Sequence, residues 1–290
     1  MLNLRRLVQK HVSSTTSSKT HSPVLNQSRN ISMPSVIPRD VREFLDNYPD
    51  CEDEGTPESA SANFEFYSNK RKCRPDNVTI EEIHERWKGD YSRLEYKHGF
   101  IQWLFPIQEY GMNSASQPLQ KHEIAAMKAD PDITARLIRS YRLMLDFYGM
   151  NLDSPETGLL SRVAPETKYK ERHRNLVRNS HNYLRISRIL KCLSEMGLER
   201  LNAGFLLHVL NEQSENNQLN TPNLKSSMDR WWANCLRNEQ EREWIGGMIT
   251  KVRTSERDEF VFTRAMYEAA LERRRETGSL RGEDAKISLP

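Results

Sequence analysis

A chain of 290 residues with 37% hydrophobic and 29% charged residues has enough apolar material for one sizeable core, and the length favours one or two domains. Its longest uninterrupted apolar stretch, Trp103 to Ile107, is far short of the roughly 20 residues that a membrane-spanning helix needs. A formal charge of +3 with a pI near 8.6 is too mild to imply nucleic-acid binding by itself. Cys51, Cys73, Cys192 and Cys235 lie far apart without paired spacing, which argues against a disulfide framework or a zinc site and for reduced thiols in a soluble nuclear or cytosolic protein.

Residues 1–39 contain no Asp or Glu, and residues 1–12 interleave Leu2, Leu4, Leu7, Val8 and Val12 with Arg5, Arg6 and Lys10 before a Ser/Thr-rich stretch. Two readings of residues 1–38 stand: a mitochondrial transit peptide within 1–32, which has this composition, or a disordered basic terminus. In segment 39–63, Val41, Phe44, Leu45 and Tyr48 fall at helical spacing after Pro38, giving a short docked helix ahead of an acidic linker. The main helical domain is expected over 64–275. Thr79 to Glu82 reads as a capping box opening a helix with Ile83 and Trp87. Pro106 must end or bend the aromatic stretch FIQWLFPI, which reads as a buried helix end or turn. Asp130 followed by Pro131, with Gly149 further on, brackets a helix over about 131–148. Its Ile133, Leu137, Tyr141, Met144 and Tyr148 face the core and its Arg136, Arg139 and Arg142 face outward. One long helix is expected over about 166–196, ending at Gly197, and another within 198–212. An Asn/Gln-rich loop spans 213–220 and Thr221-Pro222 starts the next helix. A disordered tail is expected over 276–290. The fold class is all-α: a single irregular multi-helix domain with a disordered N-terminal segment and tail.

On the expected 166–196 helix, Arg178, His181, Arg185 and Arg188 form a basic row at spacings of three and four. Such a row suits phosphates, acidic peptides or a partner's carboxylates, or is simply a solvated charged face. Arg172, Asn175, Asn179 and Asn182 project toward the apolar side, where polar groups need partners. They either hold neighbouring loops together or line a pocket. Trp103, with Phe100 and Phe105 nearby, either stacks on an aromatic ligand or packs in the core. These nine residues are the candidate ligand contacts. The six arginines Arg136, Arg139, Arg142, Arg178, Arg185 and Arg188 carry a competing reading as a nucleic-acid face.

Signs of an enzyme are weak. His84-Glu85 begins like a zinc-protease motif but has Lys88 where the second histidine belongs, and His173 and His181 are too far apart for an adjacent-turn metal pair. GxSxG, phosphate-cradling and dinucleotide motifs do not occur. A binding or regulatory protein without cofactor or metal is expected, an enzyme built from distant residues being the outlying reading.

Four segments occur in order: NFEFYSNK, IEEIHERWKGDYSRLEYKHGFIQWLFPI, ITARLIRSYRLMLDFYGMNL and YKERHRNLVRNSHNYLRISRILKCLSEMGLE. Together, over roughly residues 40–270, they resemble the conserved domain of the opioid growth factor receptor family. The resemblance implies an all-helical receptor domain without a transmembrane helix, binding an opioid peptide such as methionine-enkephalin, or a protein partner, in restraint of cell proliferation. It also implies a location in the nucleus or peripherally at the perinuclear membrane. A cytoplasmic location, and a mitochondrial one if residues 1–32 are a transit peptide, are the sequence's own alternatives.

Overall fold

The computed structural model describes residues 37–48, 61–255 and 259–282, and all of these belong to one unit. In chain order they form α1 (Arg39–Leu45), α2 (Ala62–Tyr67), α3 (Ile80–Arg86), α4 (Tyr91–Tyr96), α5 (Phe100–Leu104), α6 (Lys121–Ala129) and α7 (Pro131–Tyr148). A hairpin of β1 (Met150–Ser154) and β2 (Leu159–Arg162) follows, then α8 (Glu166–Arg178), α9 (His181–Glu195) and α10 (Glu199–Ser214). The described chain closes with α11 (Pro222–Arg230), a 3-10 turn (Trp232–Asn234), α12 (Glu239–Thr254) and α13 (Arg264–Thr277). The fold is therefore all-α apart from one two-stranded sheet.

The expected brackets of α7 are present. Asp130 accepts from the Asp132 and Ile133 amides at 2.9 and 3.3 Å, Pro131 takes the first helical position, and Gly149 closes the helix at φ 87°, a conformation glycine adopts without penalty. Ile133, Leu137, Tyr141, Met144 and Tyr148 are all buried. The capping box of α3 is present too: the Glu82 amide donates to Thr79 and the Thr79 amide to Glu82. α10 is the central helix. Every residue from Leu201 to Gln213 is buried, the signature of a helix surrounded by protein rather than lying on a surface. Two of its polar side chains are paired internally: Asn202 donates to the carbonyls of Leu190 and Cys235, and Glu212 receives Arg162 at 2.7 and 2.9 Å.

Two sequence expectations are corrected and one element is new. The single helix over 166–196 is two helices, because Asn179 leaves the helical region (φ −109°, ψ 83°), with its side-chain amide bonded to the Asn175 side chain at 2.9 Å; Asn and Ser at 179–180 are residues that favour helix ends. The antiparallel hairpin had no sequence-based expectation. It pairs Met150 with Arg162 and Leu152 with Leu160, and its turn glycine, Gly158 (φ +84°), lies on the backbone of α10 at Gly204, where a Cβ would overlap the Gly158 carbonyl. The tail does not begin at 276, since α13 runs to Thr277 and Leu280 is fully buried. Residues 283–290 lie outside the described residues, as does the segment 1–36 on which the targeting readings rest.

The short helix before the linker docks as expected, with Val41 and Phe44 fully buried and the Arg237 guanidinium over the Phe44 ring at 4.4 Å. In the FIQWLFPI stretch α5 stops before Pro106, and residues 100–107 are all buried.

Candidate functional site

Two adjoining depressions lie along one face of α9. The first is an apolar groove of about 530 Å³ walled by Ile101, Ile107, Met112, Leu184 and Trp231, with Arg185, Arg188 and Lys191 along its α9 side. Leu184 is 73% and Met112 97% exposed, an unusual exposure for two large apolar side chains lining the same depression. The second is a polar groove of about 520 Å³ lined by Tyr91, Glu95, Tyr96, Arg172, Asn175 and Asn179 among others. His98 and His181 line both grooves, and their rings meet edge to face at 5.5 Å, so they form the ridge between the two.

Glu95 organises the polar groove. Its carboxylate accepts from Asn175 at 2.8 Å and Asn182 at 3.4 Å and lies 2.8 Å from His181 Nε2. This ties α4 to the end of α8 and the start of α9. Both readings of the Asn row hold in part: Asn175 and Asn182 secure a neighbouring element, while Arg172, Asn175 and Asn179 border the groove. Arg172 stacks over the Tyr91 ring at 4.4 Å.

The basic row does not survive as one stripe. Arg178 is exposed at the end of α8 and lines neither groove. Arg185, expected on an outward face, is buried. Its guanidinium donates to the carbonyls of Leu94, Glu95 and Lys97 at 2.8, 3.2 and 2.8 Å and to Asn182 Oδ1 at 3.1 Å. It thereby caps the C-terminal end of α4, where carbonyls lack helical partners. Arg185 also approaches His98 Nδ1 at 3.1 Å. A guanidinium has no lone pair to offer, so this nitrogen is the acceptor and the neutral ring carries its proton on Nε2. Burial, then the charge of Arg185, holds His98 below the ordinary histidine range. Burial likewise pulls Arg185 down from the ordinary arginine range.

Lys191, absent from the sequence-based set, is 2% exposed. It donates to Glu109 at 2.6 Å and to Asp40 at 3.1 Å. Burial alone would lower its pKa, but the Glu109 charge and hydrogen bond and the Asp40 charge outweigh it and hold the amine above its ordinary range. Arg188 is different. Its Nε donates to the Phe105 carbonyl at 2.8 Å, and among the described residues that is its one hydrogen bond, with no carboxylate in ion-pair reach.

Trp103, a candidate ligand contact, is core instead. It is 2% exposed, donates Nε1 to the Arg74 carbonyl at 3.0 Å and packs on Phe66 with ring centroids 5.5 Å apart. The six arginines of the nucleic-acid reading do not share a surface. Arg136 and Arg139 pair with Glu81 at 2.9 and 2.7 Å, Arg139 and Arg142 line a separate small depression, and Arg185 and Arg188 line the apolar groove. The signal that could have pointed to the apolar groove is the mixed row His181, Leu184, Arg188 and Lys191 at spacings of three, four and three. Its apolar member is the informative one.

Fold and grooves define the class: an all-helical domain whose open concave face is a paired apolar and polar cleft along one helix. Residues 56–268 match the family described as the opioid growth factor receptor (OGFr) conserved region, and the chain belongs to the opioid growth factor receptor family. It is 37% identical over 204 residues to opioid growth factor receptor-like protein 1 of Rattus norvegicus, covering 70% of this chain and 42% of that protein. It is 38% identical over 205 residues to the Xenopus tropicalis protein of the same name (70% and 39%). To the Homo sapiens opioid growth factor receptor it is 36% identical over 207 residues (71% and 30%). The match therefore spans less than half the length of these curated relatives. No solved structure matches.

Proposed function

We propose that the chain is a peptide-binding regulatory protein, not an enzyme, whose ligand is seated in the apolar groove and is an opioid peptide of the methionine-enkephalin type, bound in the regulation of cell growth. The observation that carries this reading is that the exposed side chains Leu184 and Met112 line one depression together with Ile101, Ile107 and Trp231. A short peptide with aromatic and thioether side chains would bury that surface, and burial of apolar area drives such association. The relatives' names supply the ligand class. Support for a binding rather than a catalytic role comes from where the reactive groups lie: Cys73, Cys192 and Cys235 are buried, so are His84, His173 and His208, and the groove histidines His98 and His181 are engaged by Arg185 and Glu95. We place the protein in the nucleus or at its periphery or in the cytoplasm, with the mitochondrion following if residues 1–32 direct import. Imaging the full chain and a variant lacking residues 1–36 separates these locations.

The test of binding is calorimetric titration of the full chain with methionine-enkephalin, alongside Leu184→Glu. That substitution puts a charge into the groove wall at a residue that is already exposed, so folding is preserved. Saturable binding abolished by Leu184→Glu supports the reading. Absence of binding by the wild type overturns the opioid ligand, and binding that Leu184→Glu leaves unchanged moves the site out of this groove.

A further inference from the structure

The charges facing the apolar groove do not balance within the protein. Asp40 and Glu109 are the acidic groups in its lining, and both are engaged by Lys191, with Tyr48 also donating to Glu109 at 2.7 Å. Arg185 is satisfied by the carbonyls at the end of α4. His98 is neutral and presents its Nε2 proton, and His181 faces Glu95 in the neighbouring groove. What remains is Arg188, half-buried among apolar walls, with its Nε fixed on the Phe105 carbonyl, its Nη1 beside the Gln102 amide at Gly111, and no carboxylate in ion-pair reach among the described residues. A guanidinium partly withdrawn from water with no carboxylate in ion-pair reach, and only the more distant charge of Glu109 acting on it, costs free energy, and its planar fork fits a carboxylate. Access is kept open at Gly111: a Cβ there would sit 3.2 Å from Arg188 Nη1 and 2.6 Å from Gln102 Cγ.

We propose that Arg188 is a carboxylate subsite in the apolar groove, so that the groove selects peptides presenting a carboxylate directly beside an apolar side chain. This deepens the peptide-binding reading and rests on the groove's being the ligand site. The apolar walls take the side chain, Nη1 and Nη2 of Arg188 take the two carboxylate oxygens, and the Nε bond to Phe105 fixes the plane of the fork. The carboxylate is that of a free C-terminus, the one source that carries it on the same residue as the apolar side chain, and an Asp or Glu side chain is the alternative the test separates.

Three small probes separate the contributions: N-acetyl-L-methionine has both groups, N-acetyl-L-methioninamide has the apolar side chain without the charge, and acetate has the charge alone. Methyl resonances of methionine-labelled full chain report on the groove through Met112, identified by its loss in Met112→Leu. A further pair, a tripeptide ending in free methionine and an amidated Asp-Met dipeptide, tells a C-terminal from a side-chain carboxylate. The free acid is expected to shift Met112 saturably and to bind at least about tenfold more tightly than the amide, as a charge-assisted hydrogen bond implies, with acetate weaker than both. Arg188→Gln is expected to erase the difference between acid and amide. Gly111→Val, which crowds the guanidinium without removing it, is expected to do the same, at some cost in melting temperature because it also presses on the buried Gln102 Cγ. Equal affinity for acid and amide overturns the subsite while leaving the groove as a ligand site. Retention of the ratio in both variants overturns it as well, and no saturable shift with any probe overturns subsite and groove together. Discrimination by these probes without binding of methionine-enkephalin would sink the opioid ligand and leave the subsite standing.

Discussion

Acid lability centred on buried histidines is the firmest quantitative expectation. His84, His173 and His208 are 7%, 3% and 1% exposed. Neither ring nitrogen of His173 or His208 has a hydrogen-bond partner among the described residues, and His84 has one, Ser140 at 2.8 Å. Burial first, then neighbouring positive charge, pushes His84 and His173 down to about 4 and His208 to about 3. A base whose folded pKa lies below its unfolded value near 6.5 binds fewer protons when folded. Its contribution is therefore complete above pH 6.5 and is lost as pH falls from there toward the folded value. Integrated to pH 5, each histidine costs about 2 kcal/mol and the three together about 6, comparable with the entire 5 to 15 kcal/mol of a typical domain. Glu241, raised by burial, works in the opposite direction as pH falls, but it is a single group. The assay is urea unfolding followed by fluorescence of the five tryptophans between pH 7.5 and 5, where ordinary carboxylates stay ionised. The midpoint should fall by about 2 M or more, taking a slope near 3 kcal/mol/M. In His208→Phe the loss between pH 7 and 5 should shrink by about 2 kcal/mol, whatever its stability at neutral pH. A midpoint flat across this range, or a His208→Phe variant with the full wild-type dependence, would refute the reasoning.

Gly204→Ala should destabilise by about 3 kcal/mol or more, because its Cβ meets the rigid Gly158 carbonyl rather than a movable side chain. Gly247→Ala in α12, where a Cβ meets nothing within 4 Å, should instead stabilise by about 1 kcal/mol through helix propensity; opposite shifts in melting temperature check the pair. Arg185→Met should cost about 3 to 5 kcal/mol by stranding the carbonyls of Leu94, Glu95 and Lys97, seen as a lower urea midpoint, which makes this arginine unsuitable as a binding-site probe. Glu123 is fully buried and accepts from the Asn63 amide and side chain, both at 2.8 Å, and from the Gln120 amide at 3.0 Å. Glu123→Ala should therefore loosen the starts of α2 and α6 together, and faster amide exchange at Asn63 and Phe64 than across α10 would register it.

Much of the fold was legible where local chemistry and tertiary packing agree. Asp130-Pro131 and Gly149 mark α7 because a cap, a pre-set φ and a left-handed stop act within a few residues of one another. The capping box at Thr79 is equally local. The hairpin was not legible by periodicity, since its strands are five and four residues long, although Asp153, Ser154, Pro155 and Gly158 are turn residues between short apolar runs. Its seat in the fold depends on Gly158 resting against Gly204, 46 positions apart in sequence, which no local pattern encodes. Trp103 was ambiguous for a similar reason: an aromatic cluster reads alike whether its outer side meets Phe66 or a ligand.

The break at Asn179-Ser180 explains why the candidate site was half right. Periodicity continues unbroken through RNSHN, so Arg178 and Arg185 seemed to share a row, yet Asn, Ser and Asn together are residues that bond their own backbone and favour helix ends. Once α8 ends there, Asn175 from one helix and Asn182 from the next converge on Glu95, and Arg185 is drawn inward onto the carbonyls of α4. That inward turn of Arg185 satisfies the polar ridge and leaves Leu184 and Arg188, its neighbours on the same face of α9, turned to the apolar groove. One helix face thus supplies both the cation spent on architecture and the cation left for a ligand. The sequence spacing of the two arginines is the same as for any pair in such a row, and what separates them is the number of carbonyl acceptors each one meets.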